Sequence, residues 1–448
     1  MTAVCRVVPS DFFRDLIVAI EIEGTRIFWG RFCPLYVPYA NGKLAEMAIN
    51  DAEITGTRNP IKQGFSSENR LDSIDRRISV APMMDWTDRH CRYFLRGFAP
   101  HALLYTEMIT AAAINRGDRA RLLAFDAEEH PVALQLGGSD PKELAIAAKA
   151  GEDAGYDEVN LNCGCPSDRV ASGSFGACLM LEPDLVADCV AAMKAVVKVP
   201  VTVKMRIGVI TAKRGHSAPA SNGHAGSAQP NSQGGEAANG HSKRGQSLKD
   251  VVAKFDDEDS EALHNFISKV HAAGCEVAIV HARKAVLGGL SPKDNREIPP
   301  LRFDVVKRVK QAFPHLPVIV NGGIRTSADA LDALTWCDGV MLGREAYHRP
   351  FVLRELQHAL YPNEPDLLTS REEMLERMAR YAQQDLANGG RLSAITRHML
   401  GLYGGQPGAK EYRRYLSEGA REAGAGPELL RNAGRRAASQ SAEGPMSI

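Results

Sequence analysis

Several absences narrow what this 448-residue sequence can encode. Lys plus Arg and Asp plus Glu each number 54, so no net positive charge points to nucleic acid, and any RNA contact has to come from a local basic face. No stretch approaches the ~20 apolar residues that span a bilayer, and the first residues lack the sustained apolar core of a signal peptide. We therefore expect a cytoplasmic protein without a membrane partner.

Paired cysteine motifs are also missing. The nine cysteines are an odd number and show no CxxC spacing, which argues against a disulfide framework or a structural zinc site. Cys163 and Cys165 form a C-x-C pair, but no further Cys or His partners accompany them. We therefore expect no bound metal.

From Ile78 onward, two kinds of segment alternate. Short β-branched runs end in Gly, Asn or another polar residue, and each is followed by a longer stretch with helical periodicity. The runs are ISVAPMM, ALLYTEM, PVALQLG, EVNLNCG, VPVTVKMRIG, VAIVHAR, LPVIVNGG and CDGVMLGR. Continuous apolar strands between helices are typical of a parallel sheet, and eight such units close a TIM (β/α)8 barrel. The sequence predicts this α/β fold over residues 77–350.

Outside the repeat, the predicted organisation differs. Residues 1–76 show no clean periodicity beyond two candidate short strands, in LIVAIEIEG and TRIFWGRF, and are predicted to be a poorly ordered extension. The stretch at about 210–254 is rich in Gly, Ser, Ala, Asn and Pro, which predicts a disordered insertion. Helical spacing after Tyr347 predicts a small helical domain over 351–425, followed by a disordered tail at 426–448.

Glycine and arginine follow the last two predicted strands. The seventh strand ends in Asn321, Gly322 and Gly323, and the eighth ends in Gly343 and Arg344. Each dipeptide alone is an ordinary turn signal, but TIM barrels commonly bind a phosphate at these two loops. Glycines let backbone N–H groups approach an anion, and the arginine adds charge. The two loops together predict a phosphate site.

Polar side chains at other strand ends extend this predicted site. Lys204 lies in an apolar strand, where it is costly unless an anion or an electron-rich ring pairs with it, and Arg206 points the same way. A reduced flavin carries negative charge that Lys204 would stabilise. Gln135 either bonds the edge of the flavin or caps a loop. The first strand offers an apolar backing for the ring in Pro82, Met83 and Met84.

Two further strand ends carry reactive groups. His281, Arg283 and Lys284 follow the sixth strand and form a candidate anion site. Cys165 follows the fourth strand, on a loop shaped by Gly and Pro, where its thiol is available for chemistry. We expect buried structural roles for Cys91, Cys178, Cys189, Cys275 and Cys337.

Taken in order, these motifs resemble those of the tRNA-dihydrouridine synthases, specifically the A subfamily. The resembling segments are APMMDWTDRHCR, TEM, LNCGCPSDRV, GACLM, KMRIG, HARKA, GLSPKDNREIPPL, NGGI and LGR, within residues 77–420. The resemblance implies reduction of uridine to 5,6-dihydrouridine at adjacent D-loop uridines of tRNA. It also implies FMN as cofactor and NADPH as its reductant. Hydride then passes to C6 of the uracil, and the catalytic Cys165 protonates C5.

The resemblance also assigns roles to individual residues. The implied FMN contacts are Pro82, Met83, Met84, Gln135, Lys204, His281, Asn321, Gly322, Gly323, Gly343 and Arg344. The implied tRNA contacts are Asn162, Lys293, Arg296, Lys410 and Arg413. The uracil has to leave its stack to enter the barrel. Position alone adds three candidate substrate contacts, Arg206, Arg283 and Lys284. No obligate protein partner is implied.

Three positions depart from the subfamily pattern. Cys163 stands where an aliphatic residue is usual, Val286 where Trp is common, and Lys410 where Arg is usual. Lys cannot reproduce a bidentate Arg contact, so the fine tRNA contacts are open. Two rival functions are an FMN barrel oxidoreductase of a small pyrimidine and a catalytically silent tRNA-binding protein. The basic C-terminal helices argue against the first rival, and Cys165 argues against the second.

Overall fold

The structure, a computed structural model, describes residues 74–166, 175–211, 254–288, 290–365, 367 and 370–442, with five short strands before them. The predicted insertion at about 210–254 lies almost entirely outside the described residues. The chain divides into two compact units, Met1–Ser66 and Ser67–Ile448. Among the described residues, none of the helices combines the length and the apolar character needed to span a membrane.

The first unit contains short antiparallel strands. Strands Val4–Val7, Val18–Ile22 and Thr25–Trp29 pair in chain order, and Tyr36–Pro38 pairs with Leu44–Glu46. The two candidate strands read from the sequence are therefore confirmed. The poor order predicted for the rest of the extension falls mostly on residues outside the described part of the chain.

The second unit is built on a closed barrel of eight parallel strands. The strands are β1 (Ile78–Val80), β2 (Leu103–Thr110), β3 (Val132–Gly137), β4 (Glu158–Cys163), β5 (Val201–Arg206), β6 (Val277–His281), β7 (Val318–Asn321) and β8 (Gly339–Leu342). Each strand pairs with the next along the chain, and β8 closes the barrel on β1. The predicted TIM barrel is confirmed.

Helices follow the strands and continue beyond the barrel. They are α1 (Arg89–Arg96), α2 (Ala111–Arg116), α3 (Arg119–Leu122), α4 (Pro141–Ala154), α5 (Pro183–Lys194), α6 (Asp257–Ala272), α7 (Phe303–Ala312), α8 (Ser327–Leu334), α9 (Arg344–His348), α10 (Phe351–Leu360), α11 (Arg371–Ala387), α12 (Leu392–Thr396), α13 (Ala409–Gly419) and α14 (Glu428–Ala442). Helix α4 illustrates the local signals. Asp140 caps its first N–H groups, and Gly155 ends it with a φ of +100°, a conformation that glycine adopts without strain.

The strands are buried on both faces, because helices cover the outside and side chains fill the inside. The apolar side chains of the interior are Ala81, Leu103, Tyr105, Ala133, Val277, Ile279, Ile319 and Met341. Strands β3 to β5 contribute buried polar side chains instead, namely Gln135, Glu158, Asn160 and Thr202. One side of the barrel interior is therefore polar along its length.

The C-terminal helices pack on the barrel at helix α1. Tyr381 of α11 stacks on Tyr93 with ring centroids 4.1 Å apart, and its hydroxyl lies 2.8 Å from Nδ1 of His90. Arg397 donates a hydrogen bond of 2.6 Å to Asp88, the N-cap of α1. The barrel and these helices accordingly form one compact unit.

The prediction of a disordered tail from residue 426 was wrong for its first part. Residues Glu428–Ala442 form helix α14, which packs against α11 and α13. Leu430, Ala433 and Ala437 recur at helical spacing and are buried. Small apolar residues gave only a weak periodic signal, and the packing surface that stabilises them comes from the other helices.

Candidate active site

The carboxyl ends of β4 to β7 bring together side chains from four separate segments of sequence. Arg206 on β5 is in register with His281 on the adjacent strand β6, and His281 is in register with Asn321 on β7. Lys204 lies opposite Asn162 on β4. Residues that the sequence could connect only by their position at strand ends thus line one opening, at the mouth of the barrel.

The loop after β7 is compact around two glycines in left-handed backbone conformations. Gly322 has a φ of +102°, and a Cβ at this position would lie 2.5 Å from Cδ2 of His281. Gly323 has a φ of +75°, and its Cβ would lie 2.3 Å from Leu301. Asn321 is buried and donates to a β8 carbonyl at 2.8 Å. The loop therefore presents backbone, rather than side chains, at the mouth.

The loops after β1 and β8 are neighbours. A Cβ at Gly343 would lie 3.9 Å from Sδ of Met83, and Met83 also packs against the barrel interior. Pro82 is half-buried. Met84 is 56% exposed. Met83 thus lies between the β8 loop and the barrel interior, whereas the Met84 side chain faces outward.

Lys204 is a half-buried ammonium without a hydrogen-bond or ion-pair partner among the described residues. Burial, and then the neighbouring Arg206 guanidinium, lower the pKa of Lys204 to about 7, which the Cys165 side chain partly offsets. Burial, followed by the charges of Arg206 and Lys204, also lowers the pKa of His281 well below its usual range. An anion bound at the mouth would offset the positive charges that contribute to lowering both pKa values, so the mouth favours an incoming anion.

The low pKa of Lys204 predicts a pH-dependent stability difference in the flavin-free protein. Between a pKa of about 7 in the folded state and the ordinary lysine value, the unfolded chain binds more protons, so stability rises with pH. Lys204→Met removes the charged form that folding disfavours. We expect it to raise the melting temperature by at least about 2 °C near pH 6. The gain should shrink as the pH rises through and above 7.

Thermal unfolding of wild type and Lys204→Met at several pH values checks this prediction, because titrating groups that do not interact with Lys204 cancel in the difference. A Lys269→Met variant is the matched control, since Lys269 is ion-paired to Asp184 at 2.5 Å on the outside of the barrel. A stability gain at Lys204 that did not vary with pH would contradict the burial of an unpaired charge.

Four arginines converge beside this mouth. Burial, and then the charges of Arg344 and Arg325, lower the pKa of Arg283. Burial and Arg344 also lower the pKa of Arg296. Glu297 is the acid among them and accepts a 3.0 Å bond from Arg344. Mutual repulsion of this kind is relieved when an anion binds, so the cluster is a candidate phosphate site.

Two of the candidate substrate contacts are occupied by the protein itself. Arg206 is 3% exposed and donates to the carbonyls of Gly164 at 3.2 Å, Lys284 at 3.2 Å and Asn295 at 3.0 Å. Lys284 is also buried, with Nζ 2.5 Å from Asp259. Arg206 therefore ties the loop after β4 to the loops after β6, and these contacts favour a structural role over direct substrate contact.

The Cys165 loop is anchored by the side chain of Asn162. Oδ1 of Asn162 accepts the backbone N–H groups of Gly164 and Cys165, both at 3.0 Å. Its Nδ2 donates to Gln135 at 2.9 Å. The carbonyl of Cys165 accepts from the Ala177 N–H at 2.9 Å. Cys165 is half-buried, so its thiol is held on an ordered turn that still reaches the mouth.

The other cysteines differ in burial. Cys163 is fully buried and burial raises its pKa well above the usual value, so it is a packing residue. The predicted burial is found at Cys91, Cys189, Cys275 and Cys337. Cys178 is half-buried instead, with its thiol 3.1 Å from the Phe175 carbonyl.

Four of the five predicted tRNA contacts lie in two places, and the fifth, Asn162, is the buried residue that anchors the Cys165 loop. Lys293 and Arg296 are exposed on the loop after β6, next to the mouth, and Lys410 and Arg413 are exposed on α13. Val286 is fully buried, so this departure from the subfamily pattern does not face an RNA. The structure thus leaves four cationic side chains available on the surface.

Sequence reasoning missed the polar residues inside the barrel. Glu158, Asn160 and Thr202 are completely buried and hydrogen-bonded to one another. The signal that could have found them is the alternation in EVNLNC, where every second residue of β4 is polar. A strand that is buried on both faces and still alternates has a polar interior face.

Known proteins match this chain over most of its length. The model of the family described as Dihydrouridine synthase (Dus) matches residues 79–218 and 251–440. The tRNA-dihydrouridine(20/20a) synthase of Xanthomonas campestris pv. campestris is 50% identical over 360 residues, 80% of this chain and 93% of that protein. The proteins of the same name from Vibrio vulnificus and Synechocystis sp. are 48% and 49% identical, over 80% and 81% of this chain and 95% of each relative. The chain belongs to the dihydrouridine synthase family.

Proposed function

We propose that the protein reduces uridine to 5,6-dihydrouridine in tRNA, with FMN as its bound cofactor and NADPH as the reductant. Membership of the dihydrouridine synthase family supports a flavin-dependent reduction that acts on tRNA. The relatives are named for positions 20 and 20a, and we propose the same D-loop uridines for this chain. Because tRNA is the substrate, we propose that the protein works in the cytoplasm.

The observation that carries the proposal is Lys204, an ammonium without a partner among the described residues, which is an electrostatic neighbour of Cys165. An electron-rich ring over the mouth would satisfy it. The loop of Gly322 and Gly323 has no room for Cβ atoms, so its backbone can approach a phosphate, and Arg344 follows the next strand. These residues would hold a flavin nucleotide, with Lys204 beside the ring and the β7 and β8 loops around the phosphate.

When bound, reduced FMN supplies a hydride to C6 of the uracil. The residues of this chain manage the proton and the charge. Negative charge develops at C5 and O4 of the base, and the Cys165 thiol donates its proton to C5, leaving a thiolate. Lys204, Arg206 and Arg296 are electrostatic neighbours of Cys165. Solvent then returns a proton to the sulfur.

The target base has to reach the mouth from within a folded RNA, which requires turning it out of its stack. Arg283 and Arg296, beside the mouth, would contact the phosphates that flank such a base. Lys410 and Arg413 on α13 provide a second cationic contact. Backbone contacts of this kind position the RNA without reading its sequence.

Removing the charges of Lys410 and Arg413 together is expected to reduce kcat/KM for tRNA by roughly 10-fold and to lower the salt slope of tRNA binding by about 2. The physical reason is that each exposed cation releases a counterion from the RNA. Binding of unmodified tRNA to the Lys410→Ala/Arg413→Ala variant at several salt concentrations measures the slope, and steady-state rates of dihydrouridine formation measure kcat/KM.

Arg414→Ala is the matched control, because Arg414 lies on the same helix but is ion-paired to Glu411 at 2.7 Å. Arg414→Ala should change the salt slope by much less than the Lys410→Ala/Arg413→Ala double variant does. A double variant with the wild-type salt slope would move the RNA contact away from α13.

The first test of the proposed function is the visible absorption spectrum of the purified protein, followed by incubation with NADPH and unmodified tRNA. Mass spectrometry of the digested nucleosides then detects dihydrouridine. A flavin spectrum together with dihydrouridine is expected. Flavin without dihydrouridine would favour an oxidoreductase of a small pyrimidine, and no flavin in a folded, FMN-supplemented sample would overturn the assignment of the mouth.

A further inference from the structure

A continuous column of hydrogen-bonded polar side chains crosses the barrel interior from its amino-terminal end to the Cys165 loop. Its members come from β2 to β5, together with Arg76, which lies just before β1. They are Arg76, Tyr105, Glu158, Thr202, Asn160, Gln135 and Asn162. Apolar side chains from the other strands pack in the same interior, so the column departs from the mainly apolar interior that is usual in a barrel.

The lower end of the column is a buried carboxylate. Glu158 is completely buried and accepts a 2.8 Å bond from Nη2 of Arg76 at Oε2. Its other oxygen accepts the hydroxyls of Tyr105 at 2.5 Å and Thr202 at 2.7 Å. Burial, and then the Glu158 carboxylate, raise the pKa of Tyr105 well above its usual value, so this hydroxyl keeps its proton and donates it.

From Thr202 the column rises one amide at a time. Nδ2 of Asn160 donates to Oγ1 of Thr202 at 2.9 Å, and Oδ1 of Asn160 accepts from Nε2 of Gln135 at 2.8 Å. Oε1 of Gln135 accepts from Nδ2 of Asn162 at 2.9 Å. The free end is Oδ1 of Asn162, which holds the backbone N–H groups of Gly164 and Cys165.

The direction of every bond follows from the lower end. An ionised carboxylate can only accept hydrogen bonds, so Thr202 has to give its single proton to Glu158 and can only accept from above. Asn160 must then turn its amino group down and its oxygen up, and Gln135 and Asn162 must do the same. With the opposite orientation, Asn162 would present an amino group to two N–H donors, which no hydrogen bond could satisfy.

We propose that Glu158 and Thr202 are positioning residues for catalysis, which act through Asn160 and Gln135 to fix the orientation of the Asn162 amide and thereby the Cys165 loop. The inference rests on the proposed function of Cys165 as the proton donor. It deepens that function, because it explains why the thiol keeps one position: its turn is coupled to a charge at the opposite end of the barrel.

Thr202→Val tests the proposal, because valine keeps the shape of threonine but has no hydroxyl to pass the direction on. Thr202→Ser restores the hydroxyl and is the rescue variant. Ser79→Ala is the matched control, since Ser79 is also buried in a barrel strand but donates to the Val340 carbonyl, outside the column.

Two measurements test the order of the Cys165 loop and its effect on catalysis separately. Hydrogen–deuterium exchange of the peptide that contains Gly164 and Cys165 should accelerate in Thr202→Val and stay at the wild-type rate in Thr202→Ser and Ser79→Ala. The kcat for dihydrouridine formation should fall by roughly 10-fold in Thr202→Val, because a small displacement of a catalytic group has such effects. The rate of flavin reduction by NADPH and the KM for tRNA should change by less than kcat, because most of the proposed FMN and tRNA contacts lie outside the column.

The proposal is overturned if Thr202→Val leaves amide exchange and kcat unchanged, or if Ser79→Ala reproduces both effects, which would reflect a general loss of barrel packing. Failure of the proposed function looks different. Cys165→Ala would then form dihydrouridine at the wild-type rate, while amide exchange in Thr202→Val would still decide whether the column fixes the loop.

Discussion

Replacing Cys165 by alanine is expected to slow dihydrouridine formation by roughly 10²–10⁴-fold, the usual contribution of a positioned general acid. Hydride addition at C6 leaves charge on the base that has to be quenched by a proton at C5. Alanine has none to give, and water would have to enter the mouth to replace it. Binding of tRNA and of flavin should survive, because the loop is held through the backbone N–H of Cys165 rather than its side chain.

Single-turnover measurement separates the two halves of the reaction in this variant. The flavin should be reduced by NADPH at the wild-type rate and then be reoxidised slowly when tRNA is added. Cys178→Ala is the matched control, because Cys178 is also half-buried after β4 and its thiol donates to the Phe175 carbonyl. A Cys165→Ala enzyme with wild-type reoxidation would assign the proton donation to another group.

The fold could be predicted from local patterns because each barrel unit repeats the same signals. Strand runs, turn residues and helical spacing lie within a few residues of one another. They can therefore be recognised without knowing how the strands pair in the barrel. The tail helix α14 was missed for the opposite reason. Ala433 and Ala437 are buried only because the other helices supply the opposing surface.

The site shows the same division. Position at a strand end was enough to predict that Lys204, His281 and Gly322 share one opening. It was not enough to distinguish a side chain that faces the opening from one that supports it. Arg206 and Lys284 also lie at or just after strand ends, yet both are buried. Their partners, Asn295 and Asp259, lie elsewhere in the sequence, so position alone did not reveal these contacts.

The column through Glu158 is the feature of the site that is hardest to predict from the sequence. Alternation predicts which face of β4 is polar, but the acceptors and donors belong to four strands and to Arg76. Arg76 falls just before the predicted start of the barrel. The direction of the hydrogen bonds depends on this one ion pair, so it emerges only when all the strands are placed together.

Replacing Gly322 by alanine is expected to weaken FMN binding by roughly 10²-fold. A side chain at a φ of +102° costs ~1–2 kcal/mol, and overpacking adds ~1–3 kcal/mol, while ~1.4 kcal/mol corresponds to tenfold in affinity. The new Cβ would lie 2.5 Å from Cδ2 of His281. Either the loop or the imidazole has to move. Because we propose both as flavin contacts, binding suffers whichever one yields.

Titration of the flavin-free protein with FMN, followed by absorbance or fluorescence, measures this effect, and Gly389→Ala is the matched control. Gly389 also has a left-handed φ, +82°, but a Cβ there meets no atom within 4 Å, and it lies after α11 in the C-terminal helices. It should therefore show the backbone strain as a small loss of stability and bind FMN normally. If Gly322→Ala bound FMN as tightly as Gly389→Ala does, the phosphate would lie elsewhere, and the arginine cluster of Arg283 and Arg296 would be the next place to test.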